Sequence, residues 1–544
     1  MRRRSLALCL LALAACRGGR DSTAAAAGGR LVIATSADAD ALLPPLTATQ
    51  TGRAVADNVF ERLAEAPAGD TVATTGDAGW RPRLASSWTW GPDSLSLAFA
   101  LDPRARFHDG VPVRARDVAF TFRLLRDPAL GATTGALLGN IDSITVRDSL
   151  TAVAWFRRRT AERFFDVAYQ LWILPAHLLD TVPPAQLRSH PLARRPVGSG
   201  RFRLVAWEPG ERIVLAADST HPRGRPGLDA VTWVITPDPS AAVARLTAGE
   251  ADLLENPRGP QVAEVTAAPD VRLLAYRSRQ VGTILLRVKD GAMPHPVLGD
   301  ARVRRAITQS LDAAAIARNV FDTLGAPAGG PLPDATRPPR FSYDTAAAAA
   351  ALDSAGWRRG PDGMRRRGTR GLAFSLLVPS VSRPRQQIAT LVQEALRRAG
   401  IAVTIEQADM PAFVARLASR RFDAAIQVFS SDPSPFGLRE QWGGAAARTP
   451  ETANYTGWSS AAFDALLDSA ETAGAAQVGD YLQRAIDVLR DDAPAVFLVQ
   501  PRAAIALHRR LQPVGVREDG WWTDLADWTV APDARLPRDT ASRP

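Results

Sequence analysis

The chain has 544 residues, which corresponds to roughly three or four domains at about 150 residues each. Hydrophobic residues make up 46% and charged residues 22%, an ordinary globular balance that allows a large core. The net charge of +10 is carried almost wholly by arginine, with Lys289 the sole lysine, but acids are interspersed throughout and no zinc-finger spacing or basic heptad run occurs; a compositional preference for arginine is a plainer reading than nucleic-acid binding.

The first residues, MRRRSLALCLLALAAC, place three arginines before a short apolar run over 6–15. That run is too short to span a bilayer, which needs about 20 residues, and it fits an export signal. The ending Leu13-Ala14-Ala15-Cys16 resembles the bacterial lipobox, in which the cysteine becomes the lipidated first residue of the mature chain. The alternative is an ordinary signal with a chance cysteine. Residues 1–16 are therefore read as a lipoprotein signal peptide with lipidation at Cys16, and 17–29 (RGGRDSTAAAAGG) as a flexible tether. Cys9 lies in the removed piece, so the mature chain has no second cysteine for a disulfide. Nothing later looks transmembrane.

Strand-like runs follow at 31–35 (LVIAT), 94–101, 202–207, 212–217, 231–236, 271–276, 283–288, 401–406, 424–429 and 495–500, rich in valine, isoleucine and aromatics and bounded by Gly, Pro and Asp. Helical spacing marks 301–320, 345–356, 385–400, 411–419, 461–470 and 478–490. Strands and helices alternate in the second half, which predicts parallel α/β layers there. The region from about 75 to 190 is less regular and reads as a smaller α+β unit.

Residues 106–122, RFHDGVPVRARDVAFTF, set a histidine and an aspartate side by side. Asp109-Gly110 is a turn signal. From Ala115, the apolar residues Ala115, Val118, Phe122 and Leu125 share one helical face, and Asp117 is placed to reach back to the amide at Arg114. Each polar residue has a structural use, and no partner base, nucleophile or second ligand is near. Elsewhere there is no HExxH, phosphate loop, GxGxxG after a strand, or GxSxG; Gly198-Ser199-Gly200 lacks the spacers of a nucleophile elbow. The six histidines are far apart without ligand spacing. No metal, cofactor or catalytic residue is expected.

The same stretch resembles the signature of the family 5 extracellular solute-binding proteins, the oligopeptide/dipeptide/nickel group that serves ABC importers. Arg114 departs from it, standing where threonine usually caps the helix. Further resemblances follow in order: ADNVFERLAE (56–65), RPRLASSWTW (81–90), VGSGRFRLVAWEPGERIVLAA (197–217), the segment 300–333, YDTAAAAAALDSAGW (343–357), FDAAIQVFSSDPSPF (422–436) and NYTGWSSAAFDALLDSA (454–470).

The resemblance implies an α/β, two-lobed periplasmic-binding-protein fold (type II-like), with an extra α+β domain inserted in lobe I. Lobe I would comprise 30–75, 191–277 and 504–535, the extra domain 76–190 and lobe II 278–503, with 536–544 a disordered tail. Crossings near 277–279 and 500–504 would form a hinge over an interlobe cleft. The implied activity is capture of di- to oligopeptides and delivery to an ABC permease, without catalysis, by a membrane-tethered monomer that binds no nucleic acid. The residues implied for the ligand are Gln280, Val281 and Gly282; Phe429, Ser430, Ser431 and Asp432; and Arg439, Trp442, Asn454, Tyr455 and Trp458. Asp432 is either the anchor of a peptide amino group or a turn-forming residue of Asp432-Pro433. Each tryptophan is either an aromatic wall or core, and Arg439 either meets a ligand carboxylate or lies in solvent. Other readings are a nickel chelate, oligosaccharide or opine as ligand, a signalling receptor without a permease, and an exported hydrolase with paired carboxylates.

Overall fold

The computed structural model describes residues 28–67, 75–131, 135, 138–290, 292–333, 337–430, 434–449 and 452–540. Three larger sheets organise them. The first has seven strands in the spatial order Val271–Tyr276, Ala503–His508, Leu253–Glu255, Arg30–Thr35, Ala230–Ile235, Arg212–Ala217 and Phe202–Glu208. Its central strand, Arg30–Thr35, lies parallel to both neighbours. Leu31, Ile33 and Ala34 are fully buried, as an uninterrupted apolar run requires when both sheet faces are covered. This sheet defines lobe I, and its strands come from three separated stretches of chain.

The second sheet, in lobe II, has six strands in the order Gly325–Pro327, Ala495–Pro501, Gln280–Leu286, Ala424–Ser430, Ala373–Pro379 and Ala402–Ala408. Ile284 and Leu286 pack into one core and Leu285 into another, so the run is apolar at every position. The expectation of parallel layers holds only in part. Ala373–Pro379 is parallel to Ala402–Ala408, reached through helix Arg383–Arg398, and to Ala424–Ser430. Gln280–Leu286 is antiparallel to both neighbours because the chain enters lobe II through that strand and leaves it through Ala495–Pro501.

The third sheet is antiparallel, in the order Ala85–Trp90, Ser96–Leu101, Thr151–Phe156 and Ile141–Asp148, and has its own core beneath helix Ala115–Arg126. Asp117 accepts from the Arg114 amide at 2.7 Å and from the Ala176 amide at 3.0 Å. Arg114 itself supplies no side-chain cap. The His108–Gly110 turn joins this domain to lobe I. The His108 amide donates to Gly198 O at 2.8 Å and its Nε2 lies 2.9 Å from Gly200 O. A Cβ at Gly198 would meet Val59 O at 1.9 Å, and one at Gly200 would meet Asn58 O at 2.3 Å. Those glycines are there for close packing. The histidine–aspartate pair of the opening motif is likewise scaffold: Asp109 holds His177 at 2.7 Å.

Two expectations need correction. The helix anticipated over 301–320 is two helices, Ala301–Gln309 and Ala313–Phe321. Asp312 breaks it, accepting from the Ala315 amide at 2.9 Å as an N-cap. The disordered tail expected from 536 is ordered through Thr540, with helix Pro537–Thr540 seated on lobe I. Arg510 is its anchor: fully buried, it grips Asp252 at 2.6 and 2.8 Å and Asp539 at 2.8 Å. A charge trio of that kind is tolerable inside a protein only when mutually paired.

Candidate functional site between the lobes

The chain passes between the two large sheets twice. One passage is residues 277–279, between Val271–Tyr276 and Gln280–Leu286; the other is Arg502, between Ala495–Pro501 and Ala503–His508. They run side by side: the Ser278 hydroxyl donates to Pro501 O, and the Arg502 guanidinium donates to Ala275 O at 3.3 Å. Two short adjacent crossings, with no sheet shared across them, are the geometry of a hinge.

On the lobe II side, Gln280, Val281 and Gly282 pair in register with Ser430, Phe429 and Val428. Five of the sequence-derived site residues therefore meet at the crossing end of one strand pair. They are not equivalent. Gln280 and Ser430 are exposed, whereas Val281 is core. Gly282 serves packing, since a Cβ there would come 2.7 Å from Val499 Cγ2. Phe429 stacks on Tyr455 at 6.4 Å between ring centres and meets Trp442 edge-on at 6.1 Å. Tyr455 is half-buried, and burial raises its hydroxyl pKa. Ser431 and Asp432 lie outside the described residues, as does Cys16.

Four remaining expectations move inward. Asn454 is fully buried and donates to Gly443 O at 3.1 Å and Trp458 O at 2.9 Å, pinning a loop. Trp458 is core, its indole N–H bonded to Asp492. Trp442 is core beneath Phe429. Arg439, partly exposed, is not a free cation: it is held by Asp468 at 2.8 Å and Glu471 at 3.0 Å.

Two features were missed from sequence. The first is on lobe I. Glu255 ends strand Leu253–Glu255 at the crossing end, where Asn256 N donates to Ala504 O at 2.9 Å. Its carboxylate accepts from the Trp521 indole at 3.0 Å and the Gln50 amide at 3.2 Å. Burial nonetheless raises its pKa, with Thr35, Trp521 and Gln50 opposing through hydrogen bonds. Tyr276 is also raised, by burial and then by the Glu255 charge, and Arg258 is lowered by burial. The second is a cavity of about 200 Å³ between the small domain and lobe II, lined by Asn140, Arg158 and Phe165 on one side and Ser434, Phe436 and Glu471 on the other. It adjoins helix Pro435–Trp442, capped by Ser434, directly after the Asp-Pro pair. Among the described residues no group of three or more His, Cys, Asp or Glu side chains could hold a metal, and no helix is long and apolar enough to cross a membrane.

Two α/β lobes joined by paired crossings, with a third domain against them and polar groups gathered at the hinge, define the class of two-lobed solute-binding proteins. The family model for bacterial extracellular solute-binding proteins, family 5 (middle region), matches residues 79–448, and the chain belongs to that family. The chain is 26% identical over 430 residues to the oligopeptide-binding protein AppA of Bacillus subtilis, covering 75% of this chain and 76% of AppA. It is 25% identical over 499 residues to the probable D,D-dipeptide-binding periplasmic protein DdpA of Escherichia coli, covering 89% and 90%. The structure of B. subtilis AppA in complex with a nonapeptide superposes with a TM-score of 0.71 at 23% identity, over 93% of this chain and 99% of that one, which establishes the shared fold.

Proposed function

We propose that this chain is the substrate-binding component of an ABC importer. It captures di- to oligopeptides between its lobes, closes about the paired crossings, and passes the peptide unchanged to a permease. The observation that carries the reading is the double crossing at 277–279 and Arg502, flanked by Gln280 and Ser430 on lobe II and Glu255 on lobe I. Its relatives named for oligopeptide and D,D-dipeptide binding give the ligand class. Closure requires that the ligand contact the closed form more favourably than the open one, and contacts from both lobes supply that difference. The stacked Phe429 and Tyr455 rings offer an apolar wall, and Glu255 is a carboxylate at the crossing end that an amino group could meet; Asp432, the other proposed amine anchor, lies outside the described residues. The chain is further proposed to act as a monomer outside the cytoplasm, held to a membrane by a lipid on Cys16.

Native mass spectrometry of protein purified without refolding identifies a carried ligand directly. Thermal unfolding with a peptide pool is expected to shift upward by mass action. A shift with a sugar, opine or nickel chelate and none with peptides overturns the peptide assignment; hydrolysis of the added peptide overturns the non-catalytic one. Asp432→Ala abolishes peptide binding if Asp432 anchors the amine, and leaves affinity unchanged if it only forms the turn.

A further inference from the structure

Two adjoining hollows where the small domain meets lobe I, of about 770 and 680 Å³, share His108 and Arg203 in their walls. Arg194 and Arg195 line the first, Arg106 the second. These four arginines are exposed. Among the described residues none of them pairs with an acid: Arg106 donates to the carbonyls of Pro103 and Ala105, and Arg194 lies 4.4 Å over the Trp207 ring. Of the acids in the same walls, Asp109 holds His177, Glu208 holds Arg212, Asp229 holds Arg225 and Asp539 holds Arg510. One more, Asp218, accepts only from Thr220 among the described residues and stays a negative charge there, so the four arginines outnumber the acids that no arginine meets. The face therefore carries uncompensated positive charge.

Its position is as informative as its charge. The second hollow is walled by Arg30 and Asp229, and the Gly29 amide donates to Asp229 at 3.0 Å. The chain preceding Gly28 thus leaves the described fold beside the basic face. The eleven residues 17–27 separate Gly28 from Cys16, which limits their span to about 40 Å even fully extended. A lipid on Cys16 would keep this face within that distance of the headgroups. Strand Arg30–Thr35 has its Arg30 end here and its Thr35 end beside the hinge-side strand end at Glu255, so the second hollow and the crevice lie at opposite ends of the lobe I sheet, while the first hollow runs along the edge strand Phe202–Glu208.

We propose that this arginine face docks on the anionic surface of a phospholipid bilayer, engaging headgroup phosphates. The inference rests on the lipid-anchor reading of Cys16 for its biological setting, but the surface chemistry is testable without the lipid. Docking through the Arg30 end of this face turns the crevice away from the bilayer, which makes it a pose for capturing solute; delivery to a permease then requires release. Arginine suits the task because its guanidinium can meet two phosphate oxygens at once.

The test uses unlipidated mature chain expressed from Arg17 and sedimented with vesicles. Binding is expected to vesicles containing phosphatidylglycerol and not to pure phosphatidylcholine, and to fall as salt is raised. Replacing Arg106, Arg194, Arg195 and Arg203 together by glutamine is expected to weaken binding at least tenfold, given about fivefold per basic residue near such a surface. Replacing Arg318, Arg359, Arg370 and Arg383, exposed on lobe II, is expected to leave it within twofold. Equal binding to neutral vesicles, or equal losses in the two quadruple variants, overturns the proposal. So does binding only to vesicles that contain a permease, which would assign the face to a protein partner. Mass spectrometry of Cys16 in the intact exported protein tests the anchor separately: a lipidated cysteine with no vesicle binding by the unlipidated chain refutes the docking face and leaves the anchor standing.

Discussion

Glu61 offers a sharp quantitative test of how two separate stretches of lobe I are held together. Its side chain is 4% exposed and is met by His221 at 3.3 Å and Arg223 at 2.7 Å. Burial alone would raise its pKa, but the His221 hydrogen bond and the charges of Arg223, His221 and Arg83 outweigh it and bring the value from 4.5 down to about 2. A carboxyl depressed in the folded state contributes stability above its unfolded pKa and loses it as pH falls through the folded value. The difference of about 2.5 units, at roughly 1.4 kcal/mol each, gives about 3 kcal/mol present at pH 5 and above and withdrawn between about pH 4.5 and 2. That is a large share of a typical net stability of about 5–15 kcal/mol. Glu61→Gln should therefore destabilise the protein at pH 7 by a few kcal/mol, leaving Arg223 short of its partner, and should flatten the fall in stability below pH 4.5. Urea unfolding followed by tryptophan fluorescence at pH 7, 5, 4 and 3 measures both. If wild type and Glu61→Gln lose stability in parallel from pH 5 to 3, the Glu61 cluster does not hold the acid-sensitive energy and the reasoning fails.

Arg510→Met would leave the buried Asp539 without its cation and Asp252 with Arg538 alone, and should cost about 3 kcal/mol in urea unfolding. Gly282→Ala would drive a methyl group to 2.7 Å from Val499 and should cost about 1–3 kcal/mol through overpacking, a loss visible in the denaturation midpoint. Calorimetric titration with a peptide ligand should show Glu255→Gln weakening affinity about tenfold, about 1.4 kcal/mol, while Arg439→Gln, whose cation is already spent on Asp468 and Glu471, changes it less than twofold.

The strands were readable because burial leaves a local imprint. Residues 31–34 and 284–286 are apolar at every position, and only a strand covered on both faces needs that. The break at Asp312 was harder to read, since Val303, Ile307, Leu311 and Ala314 would share one face of a continuous helix and only Ile316 falls off it; the carboxylate that caps the second helix decides it. The tail was misread for a related reason. PDARLPRDT looks like solvent-loving sequence, yet Asp539 is the complement of a buried arginine 29 residues earlier, a pairing no window of local composition contains.

The site was the least legible part, and the reason is chemical. A ligand-facing polar residue and a polar residue that pins a loop are the same residue type in the same kind of motif. Asn454 and Trp458 occupy a stretch that reads as pocket lining, but their donors are consumed by Gly443 O, Trp458 O and Asp492 inside the lobe. Glu255 shows the converse. It attracts no notice in ADLLENP, and becomes a candidate only when strand Leu253–Glu255 brings it to the hinge and two donors 205 and 266 residues away close on its carboxylate. Its raised pKa then has a functional consequence: three neutral donors, Thr35, Trp521 and Gln50, hold it in place but do not fully offset burial. A cationic group arriving with the ligand would supply what the protein leaves out, and would hold the carboxylate ionised most strongly in the closed form, where solvent is excluded from both partners.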